Sequence, residues 1–167
     1  MSLMIPQSNS ATSLSKSDRD SSAGWQYNLF DEPKSKAEVT EWAGVFRRLV
    51  EFTKLPQNWD TYGGVPSSLV AYGRTVYLLR QWQELTRFWG ETLPIPFVTL
   101  CGNGSIQLEW SLGRKSVEIE VPSDDSLAFG WMATLDTSGE PKDYTGGFQD
   151  VSEDQAKQLI RWLLQEK

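Results

Sequence analysis

Histidine is absent from this chain, and cysteine occurs once, as Cys101. The first absence removes the commonest general base and metal ligand, together with every Ser-His or Cys-His nucleophile pair. The second excludes an intramolecular disulfide, and with it zinc sites built from four cysteines or from two cysteines and two histidines. Long apolar runs are also missing, and none approaches the roughly 18 residues of a membrane span. Met1 to Pro6 carry no basic charge and lead into no apolar stretch, so no secretory signal is read and the expected location is the cytoplasm. Neither a phosphate-binding P-loop nor a G-x-G-x-x-G turn occurs. An enzyme made from these residues has carboxylates, lysine or tyrosine to work with, and no cofactor or metal is expected.

What remains is a chain of 167 residues, 39% hydrophobic and 23% charged, which suits one soluble globular domain with a real core. The net charge of −6 repels phosphate backbones and disfavours generic nucleic-acid binding. Tryptophan is the compositional outlier, with eight copies scattered along the chain. Scattered indoles suit a core rather than a single binding motif.

Residues 1–23 are rich in serine and poor in large apolar side chains. They bury too little to offset their ordering entropy and read as a flexible tail, leaving 24–167 as a single α+β domain. A helix is predicted from Lys36 to Lys54, opened by a Ser35–Glu38 capping box, with Val39, Trp42, Ala43, Phe46, Leu49 and Val50 as its apolar face. A second starts near Ser67 and carries the stripe Ala71, Thr75, Leu78, Trp82, Leu85 and Trp89. Strands follow at Phe97–Cys101, Ser105–Ser111, Lys115–Val121 and Leu127–Leu135. The polar, Gly-rich stretch from Asp136 to Asp150 reads as a long loop. A last helix begins at Ser152, with Gln155 completing a capping box and Leu159, Ile160, Leu163 and Leu164 facing inward.

The strands can be tested by register. A two-residue turn at Gly113-Arg114 sets Trp110 opposite Val117, Leu108 opposite Ile119 and Ile106 opposite Val121, all apolar and on one face. A five-residue loop at Pro122–Ser126 sets Val121 opposite Leu127, Ile119 opposite Phe129 and Val117 opposite Trp131, extending that face to the fourth strand. The expected fold is therefore α+β: an antiparallel β-meander of about four strands, packed on one face by helices, in the order α-α-β-β-β-β-α.

Two places are candidates for function. The first is the opposite face of the meander, where Glu109 stands across from Glu118 and Gln107 from Glu120. Facing like charges are unfavourable. Gly130 and Ala128 are expected beside these glutamates on the fourth strand, where their small size leaves room. An acidic groove that receives a cation, a basic partner or a sugar would account for the arrangement, as would a simple solvated face or pairing with a nearby arginine. The second place is the loop Asn58-Trp59-Asp60-Thr61-Tyr62-Gly63-Gly64. Its residue types suit a self-bonded turn, in which Trp59 and Tyr62 pin the loop to the sheet, and equally a binding loop that offers aromatics and a carboxylate. Asp136, Glu140 and Asp143 do not have EF-hand spacing. Cys101 has no base near it in sequence and reads as a small apolar residue.

The segments Asn58-Trp59-Asp60-x-Tyr62-Gly63 and Gly104-Ser105-Ile106-Gln107-Leu108-Glu109-Trp110 together resemble a pattern found in small uncharacterised bacterial proteins. The resemblance covers residues 55 to 121. It implies the fold and no activity, and because such proteins often end soon after the meander, it marks the later residues as elaborations. The expected function is a non-enzymatic protein-interaction module, one form being an acidic, antitoxin-like partner of a basic protein. Candidate binding residues are Asn58, Trp59, Asp60, Tyr62, Glu109, Glu118 and Glu120. The alternative is a small-ligand or metal-assisted enzyme using Asp60, Glu109, Glu118 and Glu120. A homo-oligomer with a structural role is a third reading.

Overall fold

The computed structural model describes residues 36–137 and 140–165. The Ser-rich segment 1–23, Trp25 and the Ser35 cap lie outside them. The described chain runs α1 (Lys36–Phe52), α2 (Leu69–Phe88), β1 (Phe97–Leu100), β2 (Ile106–Leu112), β3 (Lys115–Val121), β4 (Phe129–Thr137), β5 (Glu140–Phe148) and α3 (Asp154–Leu164). The five strands form one antiparallel sheet in the order β1-β2-β3-β4-β5, a meander in which every strand pairs with its sequence neighbours.

The strand alternation produces the layering. Ile106, Leu108, Trp110, Val117, Ile119, Val121, Phe129 and Trp131 all point to one face and are buried, joined there by Val98, Leu100, Ala133 and Phe148. The helices supply the other half of this core. From α2 come Ala71, Thr75, Leu78, Leu79 and Trp82, and from α3 Ala156, Leu159, Ile160 and Leu163. The Trp82 and Trp110 rings meet with centroids 5.4 Å apart and tilted by 40°, a geometry that adds about 0.5–1.5 kcal/mol to their burial. Thr75 is buried in the middle of α2, and its hydroxyl donates to Ala71 O at 2.7 Å. No helix of the described chain is long and apolar enough to cross a membrane.

The helix ends are tied by different means. Ser68 caps α2, its Oγ accepting from Ala71 N at 3.0 Å, one residue later than the expected Ser67. Gly90, at φ +76°, turns the chain out of α2. On α3 the expected Ser152–Gln155 box is replaced. Glu153 is the N-cap residue and makes no side-chain cap bond, because its carboxylate turns back to accept from the Gln149 and Asp150 amides. At the other end the Lys115 ammonium lies 5.1 Å over the Trp162 ring and donates to Trp162 O and Gln165 O, a cation placed at a helix C-terminus.

Other expectations shift. α1 ends at Phe52 rather than Lys54, and its buried stripe is Trp42, Val45, Leu49 and Phe52, while Val39 and Ala43 are exposed. Val45 and Phe52 continue the three-and-four spacing from Trp42 and Leu49, which rotates the face by one position. The β3–β4 register slides by two residues, so that Ile119 faces Trp131 and Val117 faces Ala133. The reason lies in the connecting loop, which runs to Ala128. Asp124 Oδ1 accepts from Ser126 N, and Arg74 of α2 donates to Asp124 O and Leu127 O at 2.8 and 2.9 Å while covering the Phe129 ring at 4.2 Å. A slip of two keeps every side chain on its face. The largest departure is β5. The stretch that reads as a loop is a nine-residue strand paired with β4 along its whole length. Both of its faces are exposed except at Phe148, so the apolar alternation that marks a strand is missing from its sequence.

Candidate functional site

The Asn58–Gly64 loop is organised by its own polar groups. Asn58 sits at φ +63° and Thr61 at φ +65°, conformations that Asn tolerates and a β-branched Thr rarely adopts. Asn58 N donates to Gly64 O at 2.7 Å, and Gly63 N donates to Asn58 Oδ1 at 2.7 Å, closing the loop at both ends. Asp60 Oδ1 accepts from Tyr62 N at 2.9 Å and from Gly64 N at 2.7 Å. These amides, Tyr62's first, hold the Asp60 carboxyl below the ordinary aspartate value of 3.8. A Cβ at residue 64 would stand 2.6 Å from the Asp60 carboxyl carbon, so the second glycine of the pair is required by the close approach of the acid. Trp59 packs against the core and its Nε1 donates to Val65 O at 3.0 Å. Tyr62 does not pin the loop as expected. It is 93% exposed, because Gly63 at φ +94° turns the chain with the phenol on the outside.

This loop rests on the β1–β2 turn. Val65 N donates to Gly102 O at 3.0 Å. Gly104, at φ +82°, comes so close that a Cβ there would lie 2.9 Å from Val65 Cγ2 and 3.0 Å from Pro66 O. The two motifs singled out in the sequence are therefore in contact. The first makes a loop, and the glycine that opens the second makes the seat for it.

The turn also anchors one end of the polar sheet face. Asn103 Oδ1 accepts from Ser105 N at 3.0 Å, and the Ser105 hydroxyl lies 2.7 Å from both Asn103 Oδ1 and Glu120 Oε1. Asn103 Nδ2 reaches the same Glu120 oxygen at 3.4 Å. Further along, Gln107 Nε2 donates to Glu118 Oε2 at 3.0 Å. The register is as expected, with Glu109 opposite Glu118 and Gln107 opposite Glu120. On β4, however, Glu120 faces Gly130 where Ala128 was expected, and Glu118 faces Met132 where Gly130 was expected. The face continues onto β5, where Thr134 Oγ1 donates to Asp143 Oδ1 at 2.7 Å.

The predicted residues thus fall into two groups on either side of one turn. Asp60 and its loop stand on one side of Gly102–Ser105 and Glu120 on the other, while Glu109 and Glu118 lie along the strands. Asp60 is engaged by its own backbone, which makes it a structural acceptor. Among the described residues no three of Asp, Glu and Cys cluster as a metal site would require, and no Lys or Arg lies within ion-pair distance of Glu109, Glu118 or Glu120. Four cations are engaged with aromatic rings: Arg48 over Phe97 at 5.3 Å, Arg74 over Phe129, Arg161 over Trp89 at 4.6 Å and Lys115 over Trp162. Sequence reasoning missed Asn103 and Ser105, which position Glu120. A Gly-Asn-Gly turn is visible in the sequence, but its grip on a carboxylate of β3 depends on the β2–β3 register. Asp143 was missed because its strand was read as loop.

No family model, curated protein or solved structure matches the chain. The resemblance of residues 55 to 121 accordingly brings no activity with it, and the geometry alone carries the functional reading.

Proposed function

We propose that this chain is a non-enzymatic protein-interaction module whose open, acidic sheet face receives a basic surface of a partner protein. One observation carries the reading. Glu109, Glu118 and Glu120 stand together on β2 and β3, the first two half-buried and the third exposed, and no Lys or Arg of the described residues lies within ion-pair distance of them. Glu109 and Glu118 face each other directly, an arrangement that costs stability in the isolated protein and is relieved when a cation docks. Such a face governs association rate and partner choice more than raw affinity, so binding is expected to weaken steeply with salt. An acidic protein that neutralises a basic one is a particular case of this reading. The protein fits it better than a carboxylate-based enzyme, because Asp60 is engaged by its own loop.

The test is affinity capture from the source lysate, run in parallel with the wild type and with the combined Glu109→Gln, Glu118→Gln and Glu120→Gln variant, with mass spectrometry of what is retained. A basic protein retained by the wild type and lost by the variant supports the reading, provided that circular dichroism shows the variant folded. The same retained set from both proteins, or nothing specific from either, overturns it.

A further inference from the structure

The outer edge of β5 is a row of backbone groups whose phase follows from the ladders. Asp136 N donates to Arg114 O at 2.8 Å, so the even-numbered residues of β4 turn their N–H and C=O toward β3. The odd-numbered residues of β4 bond to β5 instead, and opposite them stand Glu140, Lys142, Tyr144, Gly146 and Phe148. The residues in between, Pro141, Asp143, Thr145 and Gly147, direct their backbone groups away from the sheet. Pro141 fits that phase, since a proline on an edge strand holds a position whose N–H would face outward. β5 is the last strand of the sheet, and residues 140–147 are exposed on both faces. Three donors, the amides of Asp143, Thr145 and Gly147, and the carbonyls beside them thus face no strand among the described residues.

Exposed edges are usually blunted by proline and charge. Here both devices sit at the start of the strand, in Pro141, Lys142 and Asp143, and the stretch from Tyr144 to Phe148 has neither. Gly146 and Gly147 leave the backbone bare. Under Gly146 lies the Trp131 indole, so close that a Cβ at residue 146 would be 2.6 Å from the ring. Trp131 is 8% exposed, and its Nε1 is buried with no hydrogen-bond partner. Beyond Glu140 and Lys142 the edge therefore has an apolar side, with Trp131 and the exposed Tyr144, and a polar side with Asp143 and Thr145, continuous with the acidic face.

Charge selects the occupant. Between residues 136 and 154 stand Asp136, Glu140, Asp143, Asp150, Glu153 and Asp154, against the single Lys142. Two such edges repel each other, which disfavours a second copy of the chain. We infer that the β5 edge is a strand-addition site for an extended basic segment of the partner, which bonds to the Asp143, Thr145 and Gly147 backbone with its Lys or Arg residues on the Asp143 side and its apolar residues beside Tyr144 and Trp131. The inference rests on the reading of the polar face as a receptor for a cationic protein, and adds to it a backbone contact with a defined register.

The probe is a nine-residue peptide alternating lysine with valine, the length of β5, titrated into the full-length protein while amide exchange is followed by NMR. In the free protein Lys142, Tyr144 and Gly146 exchange slowly and Asp143, Thr145 and Gly147 fast. Saturating peptide slows the fast set by about tenfold or more. Thr145→Pro removes one outward N–H and no β4–β5 bond, and weakens the peptide by about tenfold. Asp143→Lys, which leaves the backbone intact, weakens it as well and improves binding of the corresponding glutamate–valine peptide, so the inference stays testable should the proline variant misfold. Peptide binding that slows no β5 amide, or is unchanged by both variants, overturns the inference. If that binding is nevertheless lost in Glu109→Gln with Glu118→Gln, the acidic face survives as the receptor and the edge does not. If β5 is protected and those two substitutions change nothing, the edge survives and the face does not. A dimer seen by sedimentation and abolished by Thr145→Pro overturns the choice of occupant in favour of a second copy.

Discussion

Replacing Glu109 should make the protein more stable, and the gain should shrink with salt. Leu112 and Lys115 close the two-residue turn at Gly113-Arg114 as a hydrogen-bonded pair, and pairs alternate from there. Glu109 and Glu118 therefore occupy a non-hydrogen-bonded position, where Cα atoms are only about 4.5 Å apart and side chains come closest. Two like charges about 5 Å apart repel by roughly 0.8 kcal/mol in water, and by roughly 3 kcal/mol at an effective dielectric near 20. Glu109 and Glu118 are half-buried and Glu118 keeps the amide of Gln107, so the repulsion lies nearer the value in water than the larger one. Glu109→Gln removes the repulsion with little change of shape and is expected to stabilise by about 0.5–1 kcal/mol at low ionic strength. Glu109→Lys reverses its sign and adds a few tenths more. The added gain is limited by Arg48, which stands over Phe97, the cross-strand neighbour of Glu109 on β1. At 0.15 M salt the screening length is about 8 Å and part of the gain disappears. Urea denaturation of the three proteins at low and at 0.5 M salt reads this directly, and thermal melting should rise by about 3–5 °C per kcal/mol. A Gln variant that is less stable than the wild type at low salt, or a gain indifferent to salt, would refute the reasoning. Either result would mean that Glu109 already holds a favourable partner, and the uncompensated face would then be the wrong description.

Other consequences follow from single contacts. Gly104→Ala places a Cβ against Val65 and the Pro66 carbonyl at positive φ, and should cost about 2–3 kcal/mol in urea denaturation while broadening the Asn58–Gly64 amide signals. Trp110→Phe removes the Nε1 donation to Pro94 O at 2.8 Å as well as ring volume, whereas Trp82→Phe removes an Nε1 with no partner. Of these two completely buried indoles, Trp110 should therefore be the costlier to replace, by about 1–2 kcal/mol. Asp60, Asp124 and Asp150 are all held below 3.8 by hydrogen bonds from Tyr62, Ser126 and Ser152 respectively. A carboxyl whose folded value is lowered contributes stability that is present above 3.8 and lost as pH falls through the folded value. Thermal melts taken from pH 5 downward should thus show Asp60→Asn with a flatter acid slope than the wild type, and identical slopes would remove Asp60 from the account.

The part of the fold that was legible in the sequence is the part with one wet and one dry face. Ile106, Leu108 and Trp110 against Val117, Ile119 and Val121 fix their register through a turn that tolerates no one-residue slip, and the structure holds those pairs. The β3–β4 register lacked such a constraint. A slip of two there leaves all the apolar residues on the same side, so contacts such as the grip of Arg74 on the loop accompany one alternative, and that grip is a tertiary contact. β5 was illegible for a different reason. A strand exposed on both faces has no alternation to display, and Glu140-Pro-Lys-Asp at its start is what a loop looks like. The candidate site divides in the same way. The glutamates were placed by the register, but Asn103 and Ser105, which hold Glu120, could not be read without knowing that the turn folds back over β3.

Under the proposed function, the distribution of charge bears on where a partner would sit. Aromatic rings and helix ends hold Arg48, Arg74, Arg161 and Lys115, each fixed at or beside the helical layer. A guanidinium over a ring is stabilised by about 0.5–2 kcal/mol and has no reason to leave it for an exposed carboxylate, where a surface ion pair is worth about 0–1 kcal/mol. On the proposed reading the sheet face and the β5 edge meet at Asp143, so a partner that supplies a cation at one is already in position to pair with the other. Binding at the two should for that reason be cooperative, and Asp143 is the residue at which a single substitution weakens both.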